Sequence, residues 1–103
     1  MEIRELQDAL AAFARERDWG PFHTPKNLAM ALTGEVGELV EIFQWLTPEE
    51  SAAVMADPER ATAVRHELAD VFAYLLMLAD TLDVDLAAAL TDKMVSNARK
   101  YPA

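Results

Sequence analysis

The chain has 103 residues, 52% of them hydrophobic and 26% charged, which is the balance of a single globular domain over residues 1–103. Nine Lys and Arg against 18 Asp and Glu give a net charge of −9, and so acidic a surface repels nucleic acid. The absence of cysteine excludes disulfides, zinc–thiolate sites and cysteine nucleophiles. The start of the sequence lacks the apolar core of a signal peptide, and the longest apolar run, Val71–Ala79, is about half of a membrane span. We therefore expect a small soluble, cytoplasmic domain with neither a membrane nor a nucleic-acid partner.

The apolar spacing and the prolines predict helices in chain order. The first runs from about Ile3 to Arg17, and an aromatic-rich loop, Asp18–His23, follows it. Thr24-Pro25 is typical of a helix start, because a threonine cap precedes a proline at the first helical position. The second helix continues from there to Leu46.

A second threonine–proline pair, Thr47-Pro48, repeats the start signal, and Glu50 adds the glutamate of a capping box. This pattern predicts a short extra helix through Met55. Asp57-Pro58 then opens the third long helix, in which valines and leucines recur at alternating steps of four and three residues.

The fourth long helix begins at a cap supplied by Asp83 or Asp85 and ends near Tyr101. Four long helices without a strand pattern predict an all-α fold, an antiparallel four-helix bundle with the short extra helix between helices 2 and 3. From Val71 to Ala79 the third helix is apolar around its whole circumference, and a chain of this size can hardly enclose such a helix. We expect a homo-oligomer, a dimer or a tetramer, with this helix near the interface. The alternative is a wide internal face with ordinary exposed apolar residues.

Carboxylates interrupt the apolar stripes of the second and third helices. Glu35 falls in the middle of the second helix's stripe, and Glu38 lies about 60° further round, at its edge. Glu67 and Asp70 repeat this spacing on the third helix. Four converging carboxylates cannot all stay ionised without a cation, and all-oxygen ligands favour Mg²⁺ or Mn²⁺ over zinc. The alternative of a solvated acidic face suits Glu41 better than Glu35, whose neighbours are apolar.

The fourth helix turns basic and polar on its inner face at Lys93 and Asn97, the kinds of group that phosphate oxygens need beside a metal. Alternatively, Lys93 lies along the surface and Asn97 belongs to a frayed helix end. His23 could hydrogen-bond to the edge of a base. Flat side chains at loops, at helix ends or at the margin of the acidic face could stack on that base or serve as ordinary packing. They are Trp19, Phe22, Trp45 and Tyr74.

Several segments together resemble a known enzyme family. They are Gly34–Trp45 (GEVGELVEIFQW), Glu67–Tyr74 (ELADVFAY), and Lys93–Pro102 with its Lys, Asn and Lys-Tyr-Pro. The chain resembles the MazG-like all-α nucleoside triphosphate pyrophosphohydrolases over nearly its whole length. The dCTP pyrophosphatase branch is the nearest in pattern, and Arg17–Trp19 and Phe22-His23 also look like that branch's N-terminal segment.

The resemblance implies a four-helix fold assembled as dimers or tetramers, and Mg²⁺-dependent hydrolysis of a nucleoside triphosphate to the monophosphate and pyrophosphate. The implied metal ligands are Glu35, Glu38, Glu67 and Asp70. The implied nucleotide contacts are Trp19, Phe22, His23, Trp45 and Tyr74 around the nucleoside and Lys93 and Asn97 at the phosphates. The wider family often has EExxE as its first element, and here Gly34 replaces the first Glu. Either Glu38 or Glu41 is then the candidate for orienting the water.

The expected reaction is metal-assisted in-line attack of water on the α-phosphorus, with dCTP or a 5-modified dCTP as the substrate that the resemblance favours. Two other functions compete with it. A di-iron carboxylate bundle needs Glu-x-x-His pairs, and neither His23 nor His66 has a glutamate three residues before it. A non-enzymatic helical oligomerisation module would be expected to lack one of the ligands, whereas all four carboxylates are present.

Overall fold

The computed structural model describes residues 1–103, and its regular structure is entirely helical. The helices in chain order are α1 (Ile3–Glu16), α2 (Pro25–Phe43), α3 (Pro48–Ala52), α4 (Pro58–Thr81) and α5 (Leu86–Lys100). Short 3₁₀ turns at Gly20–Phe22 and Val54–Ala56 lie in the α1–α2 and α3–α4 connections. The all-α class, the four long helices and the short helix between the second and third are therefore confirmed. No helix combines the length and the apolar composition that crossing a membrane requires.

Local side-chain caps explain where most helices begin. Each of α2 to α5 starts at a side chain that accepts a hydrogen bond from a backbone N–H of the first turn, and these are Thr24, Thr47, Asp57 and Asp85. Asp83 does not cap α5, because its φ of 56° belongs to the turn that ends α4. Helix α2 stops at Phe43, before the predicted Leu46, because the Leu46 N–H donates to the Phe43 carbonyl three residues back and tightens the chain into a turn.

Helix α4 is the centre of the fold, since α2 packs along it and α1 packs against its C-terminal half. Leu28 of α2 and Leu76 of α4 are each only 1% exposed. The buried Gln7 of α1 donates through Nε2 to the Leu76 carbonyl at 3.0 Å, and Arg4 forms an ion pair with Asp80, also at 3.0 Å. The interior between α1, α2 and α4 is therefore small, and a hydrogen bond and an ion pair stabilise it together with apolar contacts.

Helix α5 does not pack extensively against any other helix of the chain and contains no buried residue. The radius of gyration is 16.5 Å, whereas a compact chain of this length has roughly 13 Å. Because α5 does not cover α4, large apolar side chains are exposed to solvent, including Phe72 and Leu75 on α4 and Met94 on α5. The fourth long helix thus does not close the predicted bundle within one chain, and Val71–Ala79 is not enclosed by its own chain. A chain of this size has too little apolar surface to cover both helices.

Candidate functional site

Helices α2 and α4, which form the main packing contact of the fold, carry the four predicted metal ligands. Residues three apart on a helix share one face, so Glu35 with Glu38, and Glu67 with Asp70, can project together. One carboxylate oxygen from each of Glu35, Glu38 and Glu67 lies within 4.8 Å of the other two. These three residues, hereafter the carboxylate triad, form the group of the molecule that could hold a metal ion.

The triad is buried on its inner side and open at Glu38. Glu35 and Glu67 are half-buried, and Oε2 of each is buried with no hydrogen-bond partner. Burial raises the pKa of Glu35 from 4.5 to about 7, and the neighbouring carboxylates of Glu67, Glu38 and Asp70 raise it further. Two buried acceptor oxygens that lack a donor are satisfied by a shared proton or a cation. The all-oxygen set therefore fits a hard divalent ion of the Mg²⁺ or Mn²⁺ type.

Two further predicted carboxylates lie outside the triad. Asp70 is exposed, although its charge contributes to the raised pKa of Glu35. Glu41 is exposed on α2. Of the two candidates for orienting a water molecule, the structure brings Glu38 and not Glu41 together with the buried carboxylates. The roles of all these residues stay predictions.

The connection between α1 and α2 gathers three of the predicted nucleoside-binding side chains. The Trp19 and His23 rings meet edge to face with their centroids 6.3 Å apart, and Phe22, in the same turn, is exposed. Trp19 also meets Phe13 at 5.6 Å. The sequence analysis did not single out Phe13. Its position one turn before the end of the helix, next to the aromatic loop, was the available signal.

A cavity of about 250 Å³ opens beside this aromatic turn, between α1, α2 and α4. Its wall is mixed: the apolar or small residues include Leu10, Ala14, Gly20, Leu28 and Met77, and polar groups come from Gln7, Arg15, His23, Asp80 and Thr81. Leu28 precedes Glu35 by two helical turns, which is about 10 Å along α2. A larger cavity of about 380 Å³ surrounds Arg4 and Asp80 at the same, C-terminal end of α4, and the two cavities share Gln7 and Asp80 in their walls. The smaller cavity is the better candidate for a heterocyclic ring, because it adjoins the aromatic turn and combines apolar and polar groups, as is typical of ligand sites.

The remaining predicted contacts are not assembled by a single chain. Tyr74 is half-buried on α4, one turn after Asp70, and Trp45 is 86% exposed just beyond α2. Lys93 and Asn97 are exposed on α5, which does not pack extensively against α2 or α4. The chain alone therefore offers the carboxylates and the aromatic turn, but does not bring the basic and amide groups to them.

Comparison with known sequences shows which proteins this chain is similar to. The sequence model described as the MazG-like family matches residues 31–103, which include the triad, Asp70 and α5. The dCTP pyrophosphatase 1 of Homo sapiens is 49% identical over 102 residues and that of Bos taurus 48% identical over 101. These alignments cover 99% and 98% of this chain but 58% of each relative. The chain thus spans less than two thirds of the length of these curated relatives.

A solved structure shares the arrangement of the helices. A pyrophosphatase from Archaeoglobus fulgidus superposes with a TM-score of 0.89 at 44% sequence identity, over 97% of this chain and 92% of that one. The likeness therefore includes nearly the whole fold and extends beyond the segments around the triad. With the family match covering most of the sequence and the triad in place, the chain belongs to the MazG-like family.

Proposed function

We propose that this chain is a nucleoside triphosphate pyrophosphohydrolase that depends on a divalent cation and acts on dCTP or a 5-modified dCTP. Water would attack the α-phosphorus, the bond from that phosphorus to the oxygen bridging it to the β-phosphate would break, and pyrophosphate would leave with that oxygen. The observation that best supports this reaction is the carboxylate triad, with its two buried unpartnered oxygens, in a chain of the MazG-like family. The choice of cytosine rests on the similarity to proteins named dCTP pyrophosphatase.

The triad is the proposed metal site. Glu35, Glu38 and Glu67 would hold the ion, and Asp70 would add negative charge from α4. Bound Mg²⁺, or Mn²⁺, supplies a Lewis acid that neutralises phosphate charge. The exposed Glu38 would accept a hydrogen bond from the attacking water and orient it, and its position beside the buried carboxylates supports it over Glu41. The −9 net charge of the chain is compatible with an anionic substrate only through such a cation.

The aromatic turn is the proposed nucleoside site. Trp19 and Phe22 are 44% and 67% exposed, so their rings are available for stacking on a base. Stacking accepts every base, because each base has a π-face. Discrimination must therefore come from the edge of the base, where His23 is the available side chain, and from the width of the adjoining cavity.

We further propose that the active form is a homo-oligomer, a dimer or a tetramer, in which α5 of one copy packs on another copy. The exposed Phe72 and Leu75 of α4 and Met94 of α5 are apolar surfaces that a second copy would cover. The same contact would bring Lys93 and Asn97 from an unpacked helix to the phosphates of a nucleotide at the partner's triad. Trp45 and Tyr74 would complete the nucleoside pocket of such an assembly.

A kinetic panel tests the proposed reaction. Pyrophosphate release is measured with dCTP, 5-methyl-dCTP, dTTP, dUTP and dATP in Mg²⁺, in Mn²⁺ and in EDTA. We expect metal-dependent release with the highest kcat/KM for a cytosine nucleotide. Equal kcat/KM for all substrates would remove the base assignment, a purine preference would contradict it, and no release from any of them would reject the reaction.

A variant pair tests the site. Glu67→Gln should lose turnover while retaining its helical circular dichroism. Glu49→Gln is the matched control, because Glu49 is an exposed residue of α3 that belongs to no part of the proposed site, and it should keep wild-type rates. Iron in the purified protein, together with no pyrophosphate release, would favour the di-iron alternative instead.

A further inference from the structure

The chain reverses at the end of helix α1, so that Trp19 returns to the last turn of that helix. The Trp19 N–H donates to the Ala14 carbonyl at 2.9 Å, and the Asp18 N–H donates to the Arg15 carbonyl at 3.1 Å. Asp18 has a φ of 55°, the left-handed conformation that this pair of hydrogen bonds requires. Such a turn commonly brings the residue that follows it against an apolar residue of the helix end, and here these are Trp19 and Phe13.

Two other rings orient the indole of Trp19. Its centroid lies 5.6 Å from that of Phe13, with the ring planes at 63°, and 6.3 Å from that of His23, with the planes at 62°. Edge-to-face pairs of this kind are favourable, because the positive edge of one ring meets the negative face of another. His23 is a proposed ligand contact, whereas Phe13 belongs to a regular helix and is the nearer ring. The orientation of the indole therefore depends mainly on Phe13.

Arg17 in turn restricts Phe13. The Arg17 Cζ lies 3.4 Å from the centroid of the Phe13 ring, and Nη1 of the same side chain donates to the Phe13 carbonyl at 3.0 Å. A guanidinium over the face of an aromatic ring is held by a cation–π interaction. Phe13 is 47% exposed, but these two contacts limit the rotation of its ring. It thus presents a fixed surface to Trp19.

We propose that Phe13 is a positioning residue, which holds the Trp19 indole in the orientation in which it stacks on the base of a nucleotide. The inference rests on the proposed function, because it concerns the nucleoside site assigned there to the aromatic turn. Trp19 is 44% exposed, so its contacts with Phe13 and His23 leave part of the ring free for a base. An indole that is already held loses less conformational freedom when a ligand binds, and this raises affinity without any contact between Phe13 and the ligand.

The test replaces Phe13 by leucine, which is apolar but has no ring, and by tyrosine, which keeps the ring. Ile3→Ala is the matched control, because Ile3 is a similarly exposed apolar residue, at 40%, near the other end of α1. KM and kcat are measured for dCTP and for the next best substrate of the kinetic panel, together with the Kd of the non-hydrolysable α,β-imido analogue of dCTP in Mg²⁺. We expect Phe13→Leu to raise KM and Kd about fivefold with a smaller change in kcat. Phe13→Tyr and Ile3→Ala should stay within about twofold of wild type.

Two further readouts separate positioning from a contribution to stability, with every variant assayed below its Tm. Because stacking accepts every base, Phe13→Leu should raise KM by the same factor for both substrates and leave the base preference unchanged. Trp19 and Trp45 are the two tryptophans of the chain, so in a Trp45→Phe background the tryptophan fluorescence reports on Trp19 alone. Without nucleotide, acrylamide quenching of this fluorescence should increase in Phe13→Leu and stay at the wild-type level in Phe13→Tyr.

Wild-type KM and Kd in a folded Phe13→Leu protein overturn the inference, and so does unchanged quenching of Trp19. An equal rise of KM in Ile3→Ala or in Phe13→Tyr also contradicts it, because neither variant removes the ring beside the indole. A changed base preference in Phe13→Leu would place the effect at the edge of the base and reject stacking as the cause. A wild-type chain that releases no pyrophosphate rejects the proposed function and this inference with it, whereas an active wild type with an unaffected Phe13→Leu variant rejects this inference alone.

Discussion

Replacing Glu35 by glutamine removes one negative charge from the triad and leaves the shape of the side chain almost unchanged. The Glu35 carboxyl titrates at about 7 in the folded chain because it is buried and lies beside Glu67 and Glu38. In the unfolded chain the same group titrates near 4.5. The metal-free folded state therefore holds this proton over a range of pH in which the unfolded state has already released it.

The size of the effect follows from that difference. From 4.5 to about 7, at about 1.4 kcal/mol per tenfold change in proton affinity, Glu35 accounts for at most about 3–4 kcal/mol. Because the folded pKa is the higher one, this stability is fully present below pH 4.5 and is lost as the pH rises through about 7. The metal-free wild-type protein should thus be less stable at pH 8 than at pH 4.5 by up to this amount on account of Glu35.

Urea unfolding followed by circular dichroism, in EDTA and at one protein concentration, measures this at pH 4.5, 6 and 8. Glu35→Gln should lose most of the Glu35 contribution to the pH dependence and exceed the wild type in stability at pH 8. Glu41→Gln is the matched control, because Glu41 is exposed on the same helix and lies outside the triad. Its pH profile should follow the wild type.

Bound metal should reverse the order of stability of the wild type and Glu35→Gln at pH 8. Mg²⁺ should stabilise the wild type at pH 8, should do so less at pH 5 where Glu35 is protonated, and should have little effect on Glu35→Gln. Glu35→Gln should also lose turnover. Identical pH profiles for Glu35→Gln, Glu41→Gln and wild type would refute the buried-carboxylate reasoning, as would normal turnover by a folded Glu35→Gln protein.

Three further outcomes are expected. Trp45→Ala should mainly raise KM for dCTP, because stacking supplies binding, whereas Asp70→Asn should mainly lower kcat. Steady-state kinetics on both variants checks this, and a lowered kcat in Trp45→Ala with a raised KM in Asp70→Asn would contradict it. Sedimentation at micromolar concentration should show a dimer or larger species, and a well-folded monomer of 11.4 kDa would contradict the proposed assembly. Asp83→Gly should stabilise the chain by about 0.5–1 kcal/mol in urea unfolding, because Asp83 has φ 56° at the end of α4 and its charge opposes the helix dipole. Asp85→Ala, which removes the α5 cap, should instead destabilise it by about 1 kcal/mol, and equal effects of the two changes would count against this account.

The sequence by itself determined the helix starts and the face on which the carboxylates lie. Thr24, Thr47 and Asp57 cap helices through hydrogen bonds to residues two or three positions away, so the local sequence is enough to predict these contacts. The same is true of the Glu35 and Glu38 spacing, since helical phase depends only on the number of residues between two positions. The local pattern therefore predicted the fold class and the two helices, α2 and α4, that carry the four predicted metal ligands.

Only the tertiary structure decided what happens between helices. The α2–α4 contact brings Glu67 to Glu35 and leaves Asp70 outside the triad, although both lie on the same helix at similar phase. Likewise, α5 has the composition of a bundle helix but does not pack extensively within its own chain. Both outcomes depend on the crossing angles between helices and on the apolar area that each helix can bury against its neighbours. The spacing of residues along a single helix does not determine either quantity.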